Sequence, residues 1–379
     1  MTKAGIPAMA QPYANRLPRP FMTDIPAQRD DGTWARHTTM IPPPFANCRL
    51  GGLLSRGAAR RALAIAWGLR LFCSRHRFAG AITTGSGPGT VFGLLQALPG
   101  FRRVPHVMVD CLWYAETNPL LRWLARAKFR ALIRSVSCFV VWASPEVAGY
   151  SQVLEVPKSK LRFVPHHHTL EGYGFAVCDG GYVFAGGDGD RDYQTLVEAV
   201  KGLGVQLVIA TRRREWLTKA GLPANVSVRP MGAAEFRRVM AGARVVVVPM
   251  KRGLLHLGGQ QTYLNAMAMG KPVVVCEEQG APDYLDDGVT GLIVPAGCVS
   301  RLRAALTRLL ADRRLREAMG RGAAAAVQER NLSTEGCMKR VVGLAYEQLA
   351  QSARGQSAVM AMASELDPPK PRPAVTEAS

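Results

Sequence analysis

Residues 258–295 read GGQQTYLNAMAMGKPVVVCEEQGAPDYLDDGVTGLIVP, and the fold follows from how this stretch is parsed. Gly258-Gly259 opens a run from Gln260 to Met269 whose Leu264, Met267 and Ala268 share one face, and Gly270-Lys271-Pro272 ends it, so the run is a helix. The glycines therefore stand at a helix N-terminus. There the backbone amides and the positive end of the helix dipole favour a phosphate, and the absent Cβ atoms let one approach closely. Pro272 to Cys276 is short, apolar and β-branched, as buried parallel strands are. The loop behind it, Glu277 to Pro282, falls at a strand C-terminal end, where open α/β sheets bind ligands.

This block resembles the nucleotide-sugar-binding segment of GT-B glycosyltransferases, above all the retaining family-4 type. The pattern of that type runs E-G-x-G-x-x-x-x-E-A-M-A-x-G-x-P-V-V, then G-x-x-E-x-x-x-D-G-x-x-G-x-x-V-x-P. Asn265-Ala266-Met267-Ala268, Gly270-Lys271-Pro272-Val273-Val274 and Asp287-Gly288 through Gly291 to Pro295 carry the likeness. It implies an α/β protein of the GT-B fold, two Rossmann-like domains with a cleft between them. Two departures stand out. The glutamates of the pattern fall at Leu257 and Asn265. In the family the second holds the nucleotide ribose, which Asn265 can do by hydrogen bonding; the first contacts the donor sugar, which Leu257 cannot do in that way.

At 379 residues the chain is long enough for two cores, and a mean hydropathy of +0.01 fits a globular protein. Arg60, Arg61 and Arg70 break up the best apolar run, so no stretch of about eighteen apolar residues offers a membrane-spanning helix. With no apolar core behind a basic N-terminus, a cytoplasmic location is expected. Eight cysteines without a C-x-x-C pair argue against a zinc site and, in that compartment, against disulfides. The formal charge of +20 calls for a polyanionic partner or surface. No nucleic-acid-binding signature accompanies the charge, so no nucleic-acid partner is expected. An anionic membrane surface together with a phosphorylated donor accounts for it, and a generally basic surface is the plain alternative.

Residues 1–50 are proline-rich without a sustained period and read as an irregular arm, with the usual first strand lost or replaced. An acceptor-side domain is expected over 51–168. Ala58 to Cys73 reads as a helix and Ala81 to Thr84 as a strand, and Gly85-Ser86-Gly87 starts a glycine-rich turn able to cradle a phosphate or acceptor, or to serve as a plain turn. Val104 to Asp110 is the next strand. Asp110 holds, by strand position only, the place of a family histidine that reaches the donor sugar. Trp113, Tyr114 and Glu116 behind it suit a carbohydrate, with a core position for Trp113 as the other reading. Pro119 to Arg134 is a basic amphipathic helix, fit for a membrane interface with Trp123 as anchor or for an ordinary surface. His166, His167 and His168 follow the strand Leu161 to Pro165. Neighbours on a strand alternate faces, so the three cannot share one metal ion, and His166 is a candidate donor or interdomain contact.

The nucleotide-sugar domain is expected over 169–333. Tyr182 to Ala185 leads into Gly186-Gly187-Asp188-Gly189-Asp190-Arg191, which resembles the family's G-R-x-x-x-x-K stretch; there the arginine and lysine neutralise the donor pyrophosphate. Arg191 aligns with the lysine and Gly187 with the arginine, so one cation is kept and one lost. Asp188-Gly189-Asp190 is formally a D-x-D, read as a solvated turn. Met231 stands where the family lines the base, and His256 lies beside the missing first glutamate. Helix 334–352 is expected to pack back across both domains, followed by a disordered tail over 353–379.

The resemblance thus implies sugar transfer from a nucleotide diphosphate to an acceptor hydroxyl, metal-independent and retaining, with no cofactor beyond the donor, and a lipid-linked or cell-surface glycan as acceptor. Asp110, His256 and Arg191 are the catalytic candidates. Gly187, Arg191, Met231, Gly258, Gly259, Gln260, Gln261, Thr262 and Asn265 are the donor-binding ones; Gly85, Ser86, Gly87, Trp113, Tyr114, Glu116 and His166 are the acceptor-side ones. Two other classes stay open, a non-catalytic nucleotide-sugar scaffold and a nucleotide-sugar epimerase or hydrolase.

Overall fold

Among the described residues of this computed structural model all strand ladders are parallel, and helices supply the crossovers that parallel neighbours need. The structure describes residues 21–26, 32–44, 57–113, 118–213, 222–277 and 279–352. In the first half, β1 (Phe21–Thr23), β2 (Thr38–Met40), β3 (Gly80–Thr84), β4 (His106–Val109), β5 (Cys138–Val141) and β6 (Leu161–Phe163) form one sheet in the order β2-β1-β3-β4-β5-β6. In the second half, β7 (Tyr182–Gly186), β8 (Gln206–Ala210), β9 (Val226–Arg229), β10 (Val245–Pro249), β11 (Val273–Cys276) and β12 (Leu292–Ile293) form another, ordered β12-β11-β10-β7-β8-β9. These are the two Rossmann-like sheets of a GT-B fold.

The valine runs explain the centre of the second sheet. β10 is VVVVP and β11 is VVVC, buried at every position, which suits strands covered by helices on both faces. The order in which strands are added reverses between β7 and β10, and between β1 and β3 in the first sheet. Ligands of such sheets bind outside the strand C-terminal ends at these reversals.

Residues 1–50 are not all irregular. Phe21-Met22-Thr23 is fully buried as β1 and pairs with both β2 and β3. Three residues carry no readable period; the strand exists because a distant helix covers it. Thr334–Gln351 leaves the second half and lays Val341, Val342, Ala345 and Tyr346 on the first sheet. The Tyr346 ring meets Phe21 edge-on at 4.9 Å, and its hydroxyl lies 2.9 Å from His37 Nδ1.

Candidate active site

At the reversal of the second sheet, β7 ends in Gly186 and the chain turns through Gly187, whose φ of 120° favours glycine. Across from it, Gly259 turns left-handed at φ 96° and starts the Gln260–Ala268 helix. Between these turns lies a cavity of about 400 Å³, with Gly187, Asp188, Gln261, Thr262 and Asn265 near the two glycine turns and Met231 and Phe236 further along. Five of the expected donor-binding residues thus come together. The Gln260 side chain does not join them: it is buried and turns back to the Leu257 carbonyl.

Arg191 is placed by its backbone, which bridges to Met250 at the end of β10. Its guanidinium donates to the carbonyls of Gly189 at 2.7 Å and Gly186 at 3.3 Å, contacts Met250 Sδ at 2.9 Å, and ends 3.5 Å from Thr262 Oγ1. Burial lowers its pKa from the ordinary value, opposed by Tyr193, Asp190 and Asp188. A Cβ on Gly187 would stand 2.9 Å from Arg191 Nη2. At φ 120° any side chain there would be strained, so the position where the family pattern has its arginine is held by glycine.

Two other arginines line the cavity. Arg212 lines the cavity and holds Asp188 through Nε at 2.7 Å. Burial works to raise the Asp188 pKa, but the Arg212 amide, Arg212 Nε and Thr211 hydroxyl outweigh it and keep the carboxyl below its ordinary range. Asp188 is thus tied to the end of β8 rather than held in a solvated turn. Arg237 also lines the cavity, its Nη2 lying 3.4 Å from Thr169 Oγ1 and its guanidinium over the Tyr173 ring at 4.1 Å. Sequence reasoning missed both, although Arg212 follows β8 directly and cations at a strand C-terminal end are a usable signal. Asn265 Oδ1 accepts from the Thr169 amide at 2.7 Å, and its Nδ2 donates to Thr169 Oγ1 at 3.2 Å. The carboxamide thus also anchors the connection between the two sheets.

On the first sheet, Gly85 is pressed against the β4 end, where a Cβ would meet the Asp110 carbonyl at 2.9 Å, and Gly87 at φ 55° starts the Pro88–Ala97 helix. The Ser86 carbonyl accepts from Thr84 Oγ1 at 3.1 Å. Asp110 itself is left-handed at φ 51° and accepts from Trp142 Nε1 at 2.9 Å. Burial raises its pKa, opposed by that bond and by the nearby His167 and His256. Trp113 is no sugar platform. It is buried, with ring centroids 4.4 Å from Phe129 and 5.0 Å from Tyr150. Tyr114 and Glu116 lie outside the described residues.

The chain leaves its strand at Phe163, so the histidines that follow do not alternate. The rings of His166 and His167 stack at 4.9 Å and 10°, and Trp142 meets His166 edge-on at 4.9 Å. Burial pushes the His166 pKa down to about 3. Its amide donates to Tyr284 Oη at 2.9 Å, while Asp283 takes the Ser144 amide at 2.6 Å and hydroxyl at 2.7 Å. These contacts join the halves beside the cleft. Among the described residues no group of three His, Cys, Asp or Glu side chains is arranged to hold a metal ion.

Asp24, also missed, ends β1 at the reversal of the first sheet, accepting from Thr84 N at 2.9 Å and Thr84 Oγ1 at 2.8 Å. Burial raises its pKa from 3.8 to about 6 despite those bonds, and Asp110 adds to the rise. A raised carboxyl binds its proton more tightly in the folded chain than in the unfolded one. Stability from this group is therefore present below pH 4 and lost as pH climbs to about 6, by about 3 kcal/mol in all. Denaturant unfolding of the parent and Asp24→Asn is expected to show the variant gaining on the parent by that amount between pH 4 and pH 7.5. Parallel pH curves would refute the assignment.

Residues 183–312 match the family model described as glycosyl transferases group 1. The chain is a GT-B protein with a glycosyltransferase domain. It is an enzyme of the sugar-transfer class. Comparison of the sequence with curated proteins gives no match. Among solved structures, the fold is similar to sucrose-phosphate synthase from Thermosynechococcus elongatus at 17% identity and TM-score 0.65, covering 90% of this chain and 93% of that one. It is similar to a glycosyltransferase from Rickettsia africae at 10% identity and TM-score 0.60, covering 88% and 99%. HepE from Anabaena, in complex with UDP-glucose, aligns at 13% identity and TM-score 0.58, covering 87% and 99%. The matched span contains Gly187, Asp188, Arg212, Arg237, Thr262 and Asn265, and every lining residue of the cavity except Thr169.

Proposed function

We propose that the enzyme transfers a sugar from a nucleotide diphosphate, with UDP as the first candidate, to an acceptor hydroxyl. The observation that carries this reading is the cavity at the second sheet's reversal, lined by Arg212, Arg237 and the first turn of the Gln260–Ala268 helix, with Arg191 reaching to 3.5 Å from Thr262 Oγ1 in that turn. Such an array answers a diphosphate leaving group electrostatically, with donors in place before charge develops. HepE holding UDP-glucose supports the choice of nucleotide. Met231 and Phe236 offer the apolar wall for a base. Retention at the anomeric carbon is the outcome that the family resemblance implies. Calorimetric titration with UDP, GDP, ADP, TDP and CMP and their common sugar conjugates, with and without EDTA, tests the reading. One nucleotide diphosphate is expected to bind in both conditions, and binding of none overturns it.

A scaffold reading draws support from Leu257, which lacks a carboxylate, and from Asn265, whose carboxamide is engaged by Thr169. It predicts nucleotide binding without turnover.

The acceptor we propose is lipid-linked, presented at an anionic membrane. No helix of the described residues is long and apolar enough to cross a membrane. On the Pro119–Ser135 helix, Leu120 is 64% and Trp123 62% exposed, with Leu121 and Leu124 also exposed among arginines. An amphipathic face of this kind suits an interface. Trp123→Glu is expected to weaken co-sedimentation with phosphatidylglycerol vesicles about tenfold, from loss of one buried aromatic side chain. Equal binding by both proteins would rule the face out.

A further inference from the structure

We propose that Glu146 is a positioning residue for sugar transfer: from the opposite half of the molecule it fixes the loop that carries His256 and Leu257 and sets the tautomer of the His256 imidazole. The proposal rests on the glycosyltransferase reading above.

Glu146 lies in the first turn of the Ser144–Leu154 helix, after β5, and is 1% exposed. Its Oε2 accepts from the amides of Trp142 at 3.0 Å and Ala143 at 3.2 Å, which satisfies the helix start. Those two bonds would suffice for a local cap. Oε1 instead reaches the loop before Gly258, accepting from the Leu257 amide at 2.8 Å and His256 Nδ1 at 2.7 Å. A carboxylate thus stands against the backbone of position 257, where the family pattern has a glutamate side chain and this chain has leucine.

The bonding decides the imidazole. Three backbone amides already donate to Glu146, and a carboxylate has only acceptor oxygens to offer, so the hydrogen of the His256 contact sits on Nδ1. Tyr150 Oη is 3.5 Å from the same nitrogen and donates to the Cys111 carbonyl at 2.7 Å. Asp110, at the end of β4, and His166, on the connection after β6, also lie within electrostatic reach of His256. The ring is thereby fixed in one tautomer and one orientation between the two sheets, next to the glycine pair that starts the donor helix. An imidazole held in this way by a carboxylate is suited to exchange a proton or hydrogen bond with a sugar hydroxyl.

The test uses the full-length chain and Glu146→Gln, whose amide nitrogen cannot accept from the Trp142 and Ala143 amides while its oxygen serves His256. Nitrogen-15 NMR of the histidine side chains, with His256→Gln for assignment, is expected to show the Nδ1–H tautomer in the parent and its loss in Glu146→Gln. UDP binding is expected to stay within about threefold, since the donor cavity is untouched, while turnover of UDP-glucose falls about 100-fold with little change in KM. A parent His256 protonated on Nε2, or a Glu146→Gln protein with the parent's tautomer and turnover, overturns the proposal. If the parent neither binds UDP nor consumes UDP-glucose, the functional reading fails, while the tautomer still decides whether Glu146 holds His256.

Discussion

Replacing Arg191 by alanine is expected to weaken UDP binding about 100-fold. The half-buried guanidinium lies between the two glycine turns, and its Nη2 is 3.5 Å from Thr262 Oγ1, within the first turn of the donor helix. A diphosphate seated there would take at least two charge-assisted hydrogen bonds from the planar fork, about 3 kcal/mol together. The backbone bridge from residue 191 to Met250 does not use the side chain, so the turn has a reason to survive the truncation. Arg191→Lys keeps the charge and loses the fork; about a tenfold loss is expected from it. Calorimetry with UDP, beside thermal unfolding of each variant, separates binding from folding. If Arg191→Ala binds UDP as tightly as the parent, the diphosphate lies elsewhere.

Gly89→Ala is expected to destabilise the first half by about 3 kcal/mol or more, without the donor cavity being touched. A Cβ at Gly89 would stand 2.0 Å from the Thr84 carbonyl oxygen and 2.4 Å from Thr83 Oγ1. The first of these is backbone of β3 and cannot rotate away. The Pro88–Ala97 helix would have to lift off the strand end, straining the Thr83 Oγ1 to His106 Nε2 bond of 2.7 Å and the Asp24 bonds to Thr84. Denaturant unfolding, read against UDP binding, checks this. A shift in midpoint worth less than about 1 kcal/mol would mean that the helix start yields more easily than its packing implies.

The second sheet was legible because each signal there is local. Four consecutive valines make β10, and Gly259 starts the following helix in a conformation that glycine favours. The spacing from Gly186 to Arg191 places a cation at the strand end. Phe21-Met22-Thr23 was not legible, since its burial comes from Tyr346, more than three hundred residues later in the chain. Trp113 was half legible: an aromatic beside Asp110 can face a sugar or a core, and only the presence of Phe129, Phe139 and Tyr150 around it decides for the core.

By itself the sequence determined most of the strands and helices after residue 57, where the phosphate-favouring turn lies, and that Leu257 and Asn265 replace two carboxylates. Those properties depend on neighbours within a turn or two. Tertiary structure alone decided that Arg212 and Arg237 line the cavity whose wall Arg191 approaches at Thr262, and that Glu146 meets His256 across 110 residues of chain. Such pairings depend on how the two halves dock, and packing between distant surfaces leaves no period in the sequence for a reader to find.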